Sequence, residues 1–472
     1  MFSRLIPILI VLAAPAAAET RVEPAPDLRL EPYAFRLADG SELVVERGRF
    51  LVPEDRNDPS SRRIELGFVR FRSTSQNPGP PIVYLAGGPG GSGVGTAHGP
   101  RQPIFLALRQ VADVIAFDQR GTGFSNHIPE CTAEAPLDPA VTLSEANLTA
   151  YHLAALNHCL ERWRTAGVAV NGYTTEQSAD DLEDLRRALG VRKIDLWGIS
   201  YGTHLAFAAM RRHPESIRRA ALASVEGMNQ TVKLPAHVDA ALSRIDTAIG
   251  GGLSETMRRV HSKFDTEPQT FSGTSRSGVP FRFRADSFVL RRFAGFLPKN
   301  PDGIPQLVGG YSALDSNQFD SLAPLIHQFF YAQPQAIGMP DLMDIASGIT
   351  DERLELVRRQ AATGLVGTST NFPMPQLRGA VPGLDLGDDF RREIRSNHPV
   401  LLIQGDLDVR TPLEEQAEAT RGLSNAHRVT VRNGGHDLFE AHPEVPALLI
   451  DFFLGRPIRI HELTLPAPVI TG

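Results

Sequence analysis

The sequence predicts an α/β fold built on a mostly parallel sheet, and three observations carry that reading. Short apolar runs bounded by turn residues recur at 81–86, 112–117, 193–197, 219–224 and 399–403. Strands that are apolar without alternation are buried on both faces, as in a parallel sheet under helices. Helical patterns lie between several of them, at 176–189 and 203–212, and strand–helix alternation defines the class. Composition agrees. Charged residues make up 22% and hydrophobic residues 42% of 472 residues, with a formal net charge of −6. That mix excludes a disordered, collagenous or coiled-coil chain. The acid excess argues against a nucleic-acid partner, which wants a basic face to displace phosphate counterions.

At the N-terminus, Arg4 supplies one positive charge, residues 5–14 are apolar apart from Pro7, and Ala16-Ala17-Ala18 follow. This is the three-part pattern of a signal peptide at 1–18, cut after Ala18, so export to the periplasm or the outside is expected. The apolar run is shorter than the roughly 20 residues a membrane span needs. No later segment reaches that length without charge, so no stable membrane insertion is expected. Export makes Cys131 and Cys159, the only two cysteines, candidates for one disulfide. Two buried free thiols are the alternative. No Cys-x-x-Cys or His-rich cluster points to a metal, and no cofactor is expected.

Residues 42–52 and 63–72 alternate apolar and polar side chains and read as a leading hairpin, with Asn57-Asp58-Pro59-Ser60 as its turn. The strand candidates at 81–86, 112–117, 193–197 and 219–224 follow. From 227 to 397 no clear apolar strand run occurs. Helical pieces at 236–249 and 354–362 are separated by Gly/Ser/Pro-rich stretches at 271–280 and 298–305. This reads as a largely helical cap inserted into a core made of residues 19–226 and 398–472.

The sharpest motif is Gly198-Ile199-Ser200-Tyr201-Gly202, between the strand at 193–197 and the helix at 203–212. A strand turning sharply into a helix puts Ser200 on strained backbone with its hydroxyl exposed, and both flanking positions want glycine. A serine hydroxyl needs a base, and after such an elbow the chain order is acid, then histidine. Beyond the strand at 399–403 lie Asp406 and Asp408. Asp408, further into the loop, is preferred as the acid, with Asp406 expected to support the turn through backbone hydrogen bonds. Beyond the strand at 427–431, Asn433-Gly434-Gly435-His436 offers His436 as the base. His427, inside the strand, and His442, before a proline, read as structural or surface residues. Oxyanion donors are expected at the backbone N–H of Tyr201 and at Gly88 in the loop Gly87-Gly88-Pro89-Gly90-Gly91. Pro89 has no N–H to offer.

These residues bring a family into view. The sequence resembles the α/β-hydrolase serine exopeptidases, the prolyl aminopeptidase and tripeptidyl aminopeptidase group. The likeness runs through Gly87-Gly88-Pro89-Gly90-Gly91-Ser92, Asp118-Gln119-Arg120-Gly121-Thr122-Gly123-Phe124-Ser125, Asp180-Asp181-Leu182, the Gly198–Thr203 elbow, Asp408 and Gly435-His436. It implies an α/β-hydrolase fold with a mostly parallel central sheet and an inserted, largely helical cap. It implies Ser200, Asp408 and His436 as catalytic triad and Gly88 and Tyr201 as oxyanion donors. It also implies a serine aminopeptidase that releases residues or short peptides from free N-termini through an acyl-enzyme. A carboxylesterase or thioesterase with the same triad is the alternative. In the family, acidic cap or rim residues hold the substrate ammonium; Glu226, after the strand at 219–224, is the candidate here, with a salt bridge or helix cap as its other reading. Arg120 is expected to tie loops together without taking part in the chemistry. One departure is Ala86-Gly87, where the prolyl branch usually has histidine before the glycines.

Overall fold

Ten strands share one sheet in the computed structural model, which describes residues 27–470. The predicted signal peptide at 1–18 lies outside the described residues. In chain order the strands are β1 (Arg29–Arg36), β2 (Glu42–Pro53), β3 (Arg63–Phe71), β4 (Gly79–Leu85), β5 (Ala112–Phe117), β6 (Cys131–Thr132) and β7 (Ile194–Ser200). Then come β8 (Ile217–Val225), β9 (Gln269–Thr274), β10 (Pro280–Ala285), β11 (Ala336–Ile337), β12 (Val400–Gly405), β13 (Ala426–Arg432) and β14 (Glu462–Thr464). The sheet order is β1-β2-β3-β5-β4-β7-β8-β12-β13-β14. The first three pairings are antiparallel. From β5 to β14 every neighbouring pair is parallel.

Side chains alternate across a strand, and here both faces are apolar. Val83, Leu85, Leu196, Leu222 and Leu402 pack on one side, with Leu182 and Leu205 from the helices Thr175–Ala188 and Tyr201–Arg212. Ile82, Tyr84, Trp197, Ala221 and Leu401 pack on the other, with Phe105 and Phe453 from Gln102–Leu108 and Val445–Leu454. Each fully buried side chain of this size contributes about 1.5–3 kcal/mol, so the middle of the sheet is the rigid platform of the molecule. β2 and β3 form the leading hairpin, and Asp58 accepts from the Ser60 N–H in its turn.

Between β8 and β12 the described chain adds no strand to the central sheet. It forms helices including Pro235–Ala248, Leu253–Thr266, Ser287–Ala294 and Ile304–Asp315. These pack around their own core of Leu242, Phe264, Val289 and Leu307. The stretch at 271–280 that reads as loop is largely a hairpin, because Phe271 of β9 and Phe283 of β10 pair and bury their rings. Leu137, Leu143 and Leu148, which precede residue 226, join the same core. The core is cross-linked and tied to the inserted segment near one point. Cys131 and Cys159 form a disulfide with Cα atoms 5.7 Å apart, and β6 pairs with β11 of the insertion through Cys131 and Ile337. No helix of the described residues is long and apolar enough to cross a membrane.

Candidate active site

Parallel strands deliver their carboxyl ends to one edge, where loops collect functional groups. The loops after β7, β12 and β13 leave from that edge. Ser200 closes β7 with φ 57° and ψ −131°, in the left-handed region that a side chain rarely adopts; such strain costs about 1–3 kcal/mol. It is held because its neighbours allow nothing else. A Cβ on Gly202 would stand 2.1 Å from the Leu85 carbonyl oxygen, and one on Gly198 2.8 Å from that of Gly202. The Thr203 hydroxyl donates to the Ser200 carbonyl at 2.7 Å, bracing the turn. Tyr201 opens the following helix, so its N–H has no partner within the helix and is directed toward Ser200's surroundings. Its buried ring is pinned by Thr175 and Met343.

The glycine-rich loop lies directly against this turn. A Cβ on Gly87 would be 2.9 Å from Ser200 Cβ and 3.5 Å from its Oγ. The peptide unit leaving Gly87, which carries the Gly88 N–H, therefore lies beside the serine. The Asp118–Ser125 stretch supports this loop. Asp118 accepts from the Ser92 hydroxyl at 2.7 Å and from the Val94 and Phe124 N–H groups, and Gln119 donates to the Ala86 carbonyl. Arg120 is fully buried and bidentate to Asp181, with further bonds to the carbonyls of Glu54 and Gly172.

Asp408 is fully buried. Leu407 and Val409 on either side of it enter the core of the insertion, which leaves Asp408 facing the opposite way. Its Oδ1 accepts from the N–H groups of Arg410 at 2.7 Å and Thr411 at 2.9 Å. Its Oδ2 accepts from the Thr411 hydroxyl at 2.6 Å and lies 2.9 Å from His436 Nδ1. Burial would push this carboxyl up, but the His436 charge and the hydrogen bonds from His436 and Thr411 outweigh it and hold the group below its ordinary range. The expectation that Asp406 supports the turn through backbone hydrogen bonds is corrected here. Asp408 performs that role, while Asp406 has one oxygen without a partner and the other 3.5 Å from Arg432. The reason is the reach of the turn: the N–H groups of residues 410 and 411 point back at the side chain two and three positions earlier.

His436 follows a left-handed Asn433 and two glycines. A Cβ on Gly435 would collide with the Lys299 carbonyl at 2.4 Å, so glycine lets the loop press against the inserted segment. There the His436 N–H donates to the Lys299 carbonyl at 2.7 Å and to Asn300 Oδ1 at 3.0 Å, and the Asp437 N–H to the same Asn300 oxygen. On the core side, the Ser224 hydroxyl donates to the His436 carbonyl at 2.6 Å. Ser224 is the penultimate residue of β8, whose last residue, Val225, pairs with Ser200. The loop thus folds over the strand end beside the serine. The ring's hydrogen-bond partners among the described residues are Asp408 and Thr411. A contact with the serine of such a site tightens when substrate is bound. His427 bonds the Ile460 carbonyl inside β13, and His442 accepts from the Glu444 N–H at the surface.

Glu226 is buried behind the elbow; its N–H donates to Thr203 Oγ1 and its carboxylate is ion-paired to Lys233. The sequence reasoning missed a second carboxylate there. Asp344, on the helix Met339–Ser347, is half-buried and makes no ion pair among the described residues. Burial, then the charges of Glu226 and Asp341, push it well above its ordinary range, against Lys233 and Arg410. No periodicity separates an acid that faces a cleft from one that faces solvent on a short helix. Among the described residues, His237, Glu415 and Glu418 converge as metal ligands might, but Arg353 is bonded to both glutamates and supplies the balancing charge.

Comparison with known proteins identifies the fold family. A family model described as alpha/beta hydrolase fold matches residues 80–443. The tripeptidyl aminopeptidases of Streptomyces coelicolor and Streptomyces lividans are 30% identical over 190 residues, covering 38% of this chain and 35% of theirs. The serine protease Hip1 of Mycobacterium tuberculosis is 30% identical over 179 residues, covering 36% of this chain and 34% of its own. The match thus spans about a third of the length of these curated relatives. Among solved structures, an epoxide hydrolase from an endophytic Streptomyces aligns over 88% of this chain and 98% of its own, at 16% identity and a TM-score of 0.40.

Proposed function

The chain belongs to the alpha/beta hydrolase fold family, and from that premise we propose that it is an exported serine aminopeptidase acting on peptides with a free N-terminus. The observation that carries the hydrolase half is the Asp408–His436 pair beside the strained Ser200. Ser200 Oγ attacks the scissile carbonyl while His436 Nε2 takes its proton. Asp408 holds Nδ1–H and balances the imidazolium charge. The N–H groups of Gly88 and Tyr201 receive the developing oxyanion. His436 then protonates the leaving amine, and water hydrolyses the acyl-enzyme.

The aminopeptidase half is supported by Asp344 and Glu226. A half-buried carboxylate free of an ion pair is matched to a substrate ammonium, which would satisfy its charge. Lys233 screens Glu226, so Asp344 is the stronger partner of the two. The inserted segment over the strand ends limits entry to a chain terminus. The disulfide supports export, since such bonds persist in oxidising compartments.

The test is a panel of chromogenic peptide anilides of one to three residues, each with a free and a blocked amine. Turnover of the free-amine members alone supports the reading. Equal rates on blocked peptides, or turnover of aryl esters only, would replace it with the carboxylesterase or thioesterase reading. Export is checked by sequencing the mature N-terminus, expected at Glu19.

A further inference from the structure

Beside the candidate triad, under the inserted segment, is a cavity of about 130 Å³ whose lining is unusual. Two arginines, Arg292 and Arg410, face it together with Thr370 and the rings of Phe296, Phe329 and Phe372. Neither arginine has a carboxylate partner among the described residues. Arg292 Nη1 donates to the Phe372 carbonyl at 2.6 Å, and the guanidinium lies over the Phe329 and Phe372 rings at 5.6 and 5.1 Å. Arg410 Nη1 reaches only the carbonyls of Gly295 and Thr370, each at 3.3 Å. A guanidinium carries five donors, so most of these are unspent. Thr370 is 7% exposed, and its hydroxyl has no hydrogen-bond partner.

Half-burying two like charges with neither in an ion pair among the described residues is costly. Burial, and then the charge of Arg410, brings Arg292 down to about 10. A fold that only needed to cap three carbonyls would use neutral donors. The position of the cavity gives the charges a use. Arg410 is two residues beyond Asp408 and donates its N–H to it. Phe296 leads into Lys299 and Asn300, which hold the His436 loop. Glu226 and Asp344 lie within electrostatic reach of Arg410. Acidic and basic groups therefore meet next to Asp408 of the candidate triad.

We propose that this cavity receives a carboxylate of the substrate, gripped by the Arg292 and Arg410 guanidinium groups, with the phenylalanine rings around its apolar stem. Two parts of a peptide carry that chemistry: the C-terminal carboxylate of a short peptide and an acidic side chain near the scissile bond. The peptide identity of the ligand rests on the aminopeptidase reading; the carboxylate site does not.

The test is calorimetric titration of the full chain with hydrocinnamate and with its uncharged isostere hydrocinnamide. Charge-assisted bonds to two arginines predict that the acid binds at least about tenfold more tightly. Arg292→Gln and Arg410→Gln should each erase most of that ratio. Arg292→Lys, which keeps the charge and loses the fork, should retain part of it and serves as the reading if Arg292→Gln does not fold. Equal affinity of acid and amide for the parent protein, or a ratio unchanged in the folded variants, overturns the proposal. Free-amine peptides ending in a carboxylate or an amide, with and without a glutamate side chain, then identify which carboxylate is used. If no peptide is turned over but the acid-to-amide ratio stands, the aminopeptidase reading fails and the carboxylate site remains.

Discussion

Asp408→Asn is the most informative single substitution, because the hydrogen bonds around Asp408 dictate how the amide must sit. The N–H groups of Arg410 and Thr411 both point at Oδ1, at 2.7 and 2.9 Å, so the asparagine oxygen must stay there. Its NH₂ is then forced into the place of Oδ2. The Thr411 hydroxyl can rotate to accept from it, but His436 Nδ1 at 2.9 Å now faces a donor. The ring must present a lone pair at Nδ1 and carry its proton on Nε2, where it cannot take the proton of Ser200. The opposite rotamer is worse, since the NH₂ would meet two backbone donors. Loss of the working tautomer lowers kcat by about 10⁴-fold, or about 5.4 kcal/mol of barrier. The fold should survive, because shape and most hydrogen bonds are kept. The assay is steady-state kcat/KM on an aryl ester, a reporter common to serine hydrolases, with a melting curve on the same sample. Asp406→Asn is the control, expected within about threefold of the parent because the Asp406 side chain makes only a long contact with Arg432. If Asp408→Asn keeps more than about a tenth of the activity, or if Asp406→Asn is the variant that abolishes it, the assignment of the acid is wrong.

Three further outcomes are expected. Burial and like charge raise the Asp344 carboxyl, so its contribution to stability is full below about pH 3.9 and is lost as pH rises through the raised value. Asp344→Asn should therefore melt higher than the parent near neutral pH and level with it in acid, while KM rises about tenfold or more for free-amine peptides only; an unchanged melting temperature at both pH values counts against the half-buried charge. Replacing Cys131 and Cys159 with serine opens a loop of 28 residues and should cost about 3.5 kcal/mol in urea unfolding on a chain-entropy basis, and an unchanged midpoint would show the bond to be dispensable. Gly87→Ala places a methyl group 2.9 Å from Ser200 Cβ and should lower kcat by about 10²-fold through misplacement of the serine and the loop, with little change in melting; a variant as active as the parent would mean that this loop does not border the reacting atoms.

What the sequence revealed was governed by short-range requirements. The elbow is legible because Gly198 and Gly202 are demanded by backbone atoms within a few ångströms. Asp408 and His436 are legible because each follows a strand whose apolar run announces where the sheet edge is. The other elements obey longer-range rules. β1 has no apolar run to announce it, since this edge strand buries only Phe35 and carries Pro32, which a central strand would not tolerate. Asp344, Arg292 and Arg410 take on meaning only when the insertion folds over the sheet. Arg292 and Arg410 are separated by more than a hundred positions and meet across a cavity. Nothing in the spacing of charged residues distinguishes a half-buried arginine from a solvated one. The same distance rule hides the role of Asn300, which looks like a turn residue and holds the loop of a histidine far along the chain.

That last contact makes the insertion part of the proposed catalytic apparatus rather than a removable cover. The backbone of the candidate base is registered by Lys299 and Asn300 on one side and by Ser224 on the other. Any displacement of the 296–300 segment pulls on the histidine loop at once. Admission of substrate and competence for proton transfer are therefore mechanically linked, and an opened form is also a disarmed one. For engineering, the selectivity-bearing segment is not modular: exchanging it for that of a relative would transplant a new pocket and unseat the base, unless the residues facing 435–437 travel unchanged.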